Sequence, residues 1–123
     1  MSTDSGLLRI GVIGSGIMGT NHARVASAMP ELDLVAVFDA DPERSKNLAT
    51  GFGATAAADV KELAGMVDAA VVATPTEFHA PIAHELLDAG VDVLVEKPIA
   101  PDVETARRLV DAADAAGRVF MVG

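Results

Sequence analysis

The stretch Gly14-Ser15-Gly16-Ile17-Met18-Gly19 sets the tightest limits on what this chain can fold into. Before it lies Leu7-Leu8-Arg9-Ile10-Gly11-Val12-Ile13, an apolar run of strand length, and after it a segment of helical periodicity. A glycine turn between a buried strand and a helix is a device for holding a pyrophosphate. The first glycine makes the tight turn, the second lets phosphates approach the backbone, and the third lets helix pack on strand. Backbone N–H groups and the helix dipole bind the phosphates, so no basic surface is required. That matters here, because 18 Asp and Glu residues face only 9 Lys and Arg. Such a balance disfavours nucleic acid and anionic membranes as partners, yet leaves a dinucleotide open.

The remaining chain alternates between two periods. Apolar runs over 7–14, 32–38, 54–57, 67–73, 91–95 and 118–122 predict six strands. Between them, helical patterns predict five helices, over 17–29, 42–52, 59–64, 79–90 and 102–116. In the first helix Met18, His22, Val25, Ala26 and Met29 fall on one stripe, expected to face the sheet. In the last, Val103, Ala106, Leu109, Val110 and Ala113 are expected to be buried. Strands and helices joined by short loops give a three-layer, doubly wound parallel α/β sheet, a Rossmann fold of strand order 3-2-1-4-5-6.

A chain of 123 residues is one domain, expected over 7–123 behind a disordered polar tail at 1–6. It has no cysteine, hence no disulfide framework and no thiolate metal site, and no metal site of any kind is expected. No apolar run approaches membrane-spanning length, and the first residues lack a signal-peptide pattern. A cytoplasmic location is the expectation.

Asp39 completes the cofactor argument. It ends the second predicted strand twenty residues past Gly19, where a carboxylate bonds the hydroxyls of an adenosine ribose. A 2′-phosphate there would meet like charge, so NAD is favoured over NADP. Arg44, one turn into the next helix, is placed to stack on adenine or reach a 2′-phosphate, or to be a solvated surface residue. Thr74 and Pro75 follow the fourth strand, on the rim that lines the ligand crevice of such sheets. His79 heads the next helix, either touching cofactor or capping. His22, on the apolar stripe, reads as a core imidazole bonding a neighbouring loop.

Glu96-Lys97-Pro98 is the most unusual stretch, two opposite charges directly after the apolar fifth strand. A lysine on that rim suits a substrate hydroxyl, polarising it as hydride leaves or relaying its proton, with Glu96 balancing the charge. The expected site is therefore Lys97 as the catalytic residue. Gly14, Gly16, Ile17, Met18, Gly19, Asp39, Arg44, Thr74, Pro75, His79 and Glu96 are the expected cofactor contacts. A module that binds or senses NAD(H) without chemistry, and a methyltransferase with a similar glycine loop and strand-two acid, remain alternatives.

Together, Gly14 to Gly19, Asp39, Ala73-Thr74-Pro75 with His79, and Glu96-Lys97-Pro98 resemble the glucose–fructose oxidoreductase / inositol dehydrogenase / rhizopine-catabolism (Gfo/Idh/MocA) family. The resemblance runs from Ile10 onward. It implies oxidation of a sugar or cyclitol hydroxyl, or reduction of the ketone, with NAD(P). It makes Lys97 the active-site lysine and allows a cis peptide before Pro98. Met18 to Arg24 further resembles the branch acting on nucleotide sugars such as UDP-N-acetylglucosamine. Members of the family carry a second domain for substrate contacts and dimerisation, which this sequence does not contain. The resemblance therefore implies a dinucleotide-binding domain that binds without turning over, and an oligomer only with that second domain.

Overall fold

The computed structural model describes residues 6–123, so all but one residue of the polar tail expected at 1–6 lies outside the described residues. Six strands form one parallel sheet: β1 (Leu8–Ile13), β2 (Leu32–Phe38), β3 (Thr55–Ala56), β4 (Ala69–Val72), β5 (Asp92–Val95) and β6 (Phe120–Val122). Their order is β3-β2-β1-β4-β5-β6, as expected. Five α-helices make the crossovers: α1 (Ile17–Ala28), α2 (Pro42–Phe52), α3 (Val60–Ala64), α4 (His79–Asp88) and α5 (Val103–Ala116). A single 3₁₀ turn, Thr76–Phe78, leads into α4.

Local chemistry fixes the helix ends. Asp41, Asp59 and Asp102 each accept a backbone N–H from the first turn, of Glu43, Glu62 and Thr105 respectively. Each side-chain oxygen satisfies a donor that the helix cannot, which is why Asp precedes these segments. Pro42 follows its cap at the first helical position, where a missing N–H costs nothing. At the other ends of α2 and α5, Gly53 and Gly117 adopt left-handed backbone and stop the helix.

The sheet separates two cores. On one face Ile10, Val12, Leu34 and Val37 pack with Ala23 and Ala26 of α1 and Ala49 of α2. On the other, Ile13, Val72, Val93 and Val95 pack with Leu63 of α3, Leu86 and Leu87 of α4, and Leu109 of α5. Leu63, Leu86 and Leu109 are wholly buried, and truncating any of them to alanine costs about 2–5 kcal/mol.

Two helical stripes differ from expectation. The residues of α1 that meet the sheet are Gly19, Ala23 and Ala26, while Met18, Val25 and Met29 are 48, 47 and 41% exposed. The cause is at the start of the helix. A Cβ at Gly19 would lie 1.7 Å from the carbonyl oxygen of Gly14, so α1 begins in backbone contact with the turn. A helix held that close accepts only small side chains beneath it, and the large ones are displaced to its flank. There Val25 and Met29 join Leu8, Leu94, Val119 and Met121 around an apolar groove of about 350 Å³. In α5, Leu109 and Ala113 are buried but Val103 and Val110 are exposed, because this outer helix rests mainly on α4.

Candidate dinucleotide and lysine site

The turn after β1 shows three distinct uses of glycine. Gly14 has φ +100°, and a Cβ on it would strike the Ala73 carbonyl at 2.5 Å, so β1 and β4 end in backbone contact. Gly19 provides the helix contact just described. Gly16 has nothing within 4 Å of an added Cβ and an ordinary φ of −73°. The fold itself does not require glycine there, and the open space beside the N-terminus of α1 suits a phosphate.

Beside that opening runs a cleft of about 490 Å³, bounded by Gly14, Ser15 and Gly16, by Asp39 and Arg44, and by Thr74, Pro75 and Phe78. Its far end belongs to Asp39. One oxygen of that carboxylate accepts the Ser15 N–H at 2.8 Å and the Ser15 hydroxyl at 2.7 Å. The other accepts the Asp41 N–H at 2.8 Å. Partial burial pushes the Asp39 carboxyl up, but the donors from Asp41 and Ser15, with Arg44 nearby, outweigh it and hold the group below the usual carboxylate range. Asp39 is therefore a fixed anion at the rim of the cleft. Arg44 lines the same end and lies 3.8 Å from Asp41, with both side chains largely exposed.

These residues fit a dinucleotide. The open Gly16 position suits the pyrophosphate, the Asp39 carboxylate suits ribose hydroxyls, and the cleft continues to Thr74 and Pro75 for the second nucleotide. Ile17 and Met18 stand in the first turn of α1, exposed and outside the cleft wall. Sequence reasoning passed over Ser15, which ties the glycine turn to Asp39, and Phe78, a half-exposed ring on the opposite wall. A hydroxyl inside the glycine turn and an aromatic residue closing the Thr74–Phe78 loop were the available signals.

His79 takes a different place from the one expected. It is 1% exposed, and both ring nitrogens face main-chain carbonyls. Nε2 lies 2.9 Å from Thr74 O, and Nδ1 lies 3.0 Å from Pro98 O and 3.3 Å from Ile99 O. It heads α4 but lies outside the lining of the cleft. Whichever nitrogen carries the hydrogen donates to a carbonyl, and the ring stands between the loop after β4 and the loop after β5.

Glu96 also departs from expectation. Its carboxylate neither lines the cleft nor balances Lys97, but pairs with Nε2 of His22 across 74 positions of sequence. Glu96 directly follows β5, and its carboxylate meets the α1 side of the sheet through His22. His22 is accordingly a half-buried imidazole reaching the loop after β5, as its place on α1 implied, although its partner is a charged side chain. Lys97 is exposed, and its ammonium has no hydrogen bond or ion pair among the described residues. The Lys97–Pro98 peptide is cis. β4 and β5 pair in register, Val72 opposite Val95, so the Thr74 loop and Lys97 leave the sheet side by side on one rim.

Comparison with known proteins agrees with this geometry. Residues 8–123 match the model of an oxidoreductase family described by its NAD-binding Rossmann fold. An inositol 2-dehydrogenase of Saccharopolyspora erythraea is 41% identical over 115 residues, which is 90% of this chain and 34% of that protein. The UDP-N-acetylglucosamine 3-dehydrogenase of Acidithiobacillus ferrooxidans is 36% identical over 94% of this chain and 36% of its own. Among solved structures, GenD2 from gentamicin A biosynthesis, in complex with NAD, superposes with a TM-score of 0.92 at 39% identity. That match covers all of this chain and 36% of GenD2. The chain thus spans about a third of the length of the relatives it matches. It belongs to the Gfo/Idh/MocA oxidoreductase family, whose NAD-binding Rossmann domain it carries.

Proposed function

We propose that this chain is the cofactor domain of an NAD-dependent dehydrogenase that oxidises a secondary hydroxyl of a sugar, cyclitol or nucleotide sugar. The observation that carries the reading is that the Asp39-to-Thr74 cleft and Lys97, which lies outside the cleft lining with its ammonium unpartnered among the described residues, follow neighbouring strands on one rim of the sheet. NAD, when bound, accepts the hydride. The chain's own part is to hold and orient. Gly16 leaves room for the pyrophosphate, Asp39 presents its carboxylate to the ribose, and Thr74 and Pro75 wall the path toward Lys97. Lys97 donates a hydrogen bond to the reacting oxygen as the C–H bond breaks, and the hydroxyl proton passes to water at this exposed rim. Much of the rate then comes from orientation within a closed crevice.

The relatives are named for inositol and for UDP-N-acetylglucosamine, which supports a polyol or amino-sugar substrate. We place the remaining substrate contacts and any oligomer interface in the two thirds of the relatives that this chain does not span, and expect the isolated domain to bind NAD without turnover. NADP is disfavoured, because its 2′-phosphate would approach the fixed anion of Asp39.

Replacing Lys97 by alanine in the complete natural chain tests the reading. Turnover of an inositol or UDP-N-acetylglucosamine panel should be lost while NADH affinity stays as in the unaltered protein. Unchanged turnover would remove Lys97 from the chemistry and favour a sensing module. Tighter calorimetric binding of S-adenosylmethionine than of NADH would overturn the cofactor itself.

A further inference from the structure

Residues 96–99, the part of the loop that carries Lys97, each make a hydrogen-bond contact with another element. Glu96 N–H donates to Val72 O at 3.1 Å, and Lys97 N–H donates to Gly123 O at 2.9 Å. The carbonyls of Pro98 and Ile99 are gathered by His79 from the α4 side. From the opposite face of the sheet, His22 takes the Glu96 carboxylate. Two imidazoles on helices of opposite layers therefore brace one short loop.

The Glu96 carboxylate is the member of this set that bears on chemistry. It is the nearest anion in sequence to Lys97, and a free carboxylate one residue away would compete for the same ammonium. Pairing with His22 commits it elsewhere, and the ammonium is left without a partner among the described residues. His22 itself lies outside the cleft, with its ring against the apolar groove beside Val25 and Met29.

We infer that His22 is a positioning residue for Lys97: by holding the Glu96 carboxylate on the α1 side, it fixes the strand end and keeps the ammonium free for substrate oxygen. The inference rests on the proposed role of Lys97. It also joins two parts of the machinery, because the helix that opens at the glycine turn is the helix that restrains the lysine loop.

Amide hydrogen exchange and turnover kinetics on the full-length protein test this together. His22→Ala should speed exchange at Glu96 and Lys97 while leaving the β1 amides and the NADH affinity as they were. In turnover, kcat should fall by about 10- to 100-fold, the scale of a misplaced catalytic group, with the dinucleotide KM unchanged. His22→Gln, which keeps an N–H donor for Glu96, should recover most of the loss. In a Glu96→Ala background, His22→Ala should have no further effect, since the two act as one unit. Unaltered exchange at Glu96 and Lys97, a loss carried by dinucleotide KM, or full additivity with Glu96→Ala would each overturn the proposal. If Lys97→Ala leaves turnover intact, the functional reading falls by itself, and the exchange data still decide whether His22 holds this loop.

Discussion

Asp39 accepts both the backbone N–H and the hydroxyl of Ser15, at 2.8 and 2.7 Å, so the acid ending β2 and the turn ending β1 form one rigid corner. The same carboxylate serves as architecture and as the expected ribose contact. Asp39→Ala should therefore weaken NADH by about 10- to 100-fold, the value of roughly one or two charge-assisted hydrogen bonds. NADPH should be weakened less, because the anion facing its 2′-phosphate is gone. Calorimetric titration with both cofactors measures the ratio, and equal losses would remove the basis for preferring NAD.

Gly16 and Gly19 should respond oppositely to the same substitution. An alanine at 16 meets open space at an ordinary backbone angle, so the melting temperature should not change while NADH binding is lost. An alanine at 19 would put its Cβ 1.7 Å from Gly14 O, a main-chain atom with no rotamer to yield. Overpacking against pliable side chains costs about 1–3 kcal/mol, so a rigid backbone should cost more than that. Thermal melts and NADH titrations of the two variants suffice. Full NADH binding by Gly16→Ala would mean that the phosphates do not pass there.

Acid should destabilise the fold through a few aspartates. The Arg9 side chain and N–H hold Asp68 below its ordinary range, with Arg9 Nη2 at 2.9 Å. Asp102 is likewise held down, by the Thr105 N–H it caps, and Asp39 by the donors already described. A carboxyl whose value is lower in the folded than in the unfolded chain contributes stability above the unfolded value and loses it as pH falls through the folded one. The melting temperature should thus be flat between about pH 7 and pH 5 and drop below about pH 4. Asp68→Asn should lower the neutral plateau and flatten the acid limb. An unchanged acid limb would show that Asp68 does not contribute.

Replacing Arg9 by lysine tests the geometry of the same pair. Arg9 Nε and Nη2 reach both oxygens of Asp68, tying β1 to the start of β4. Lysine offers a point charge that cannot reproduce the fork. Arg9→Lys should lower the melting temperature despite conserving charge, and a neutral result would assign the link to the Arg9 main-chain N–H alone.

What the sequence made legible follows from the range of the signals. Asp41, Asp59 and Asp102 mark helix starts, and Gly53 and Gly117 mark stops, because each acts on backbone groups a few residues away. The glycine turn and Asp39 were readable for a similar reason, since strand, turn and helix follow one another directly. The stripe of α1 was misjudged because its packing face is selected by the approach of Gly19 to Gly14, not by side-chain hydrophobicity. Apolar bulk at Val25 and Met29 points to the flanking groove instead.

The sequence by itself determined the alternation of strands and helices, the order of the sheet, the phosphate turn, the acid at the end of β2 and the presence of a lysine after β5. Periodicity, caps and turn glycines are local, and the right-handed crossover rule converts them into topology. Only the tertiary structure decided the partners. His22 and Glu96 are separated by 74 positions, and His79 reaches carbonyls 19 and 20 residues on. Those pairings depend on how far helices on opposite faces overhang a common strand end. No neighbouring residue encodes that distance, and it is what commits Glu96 to His22 while the Lys97 ammonium has no partner among the described residues.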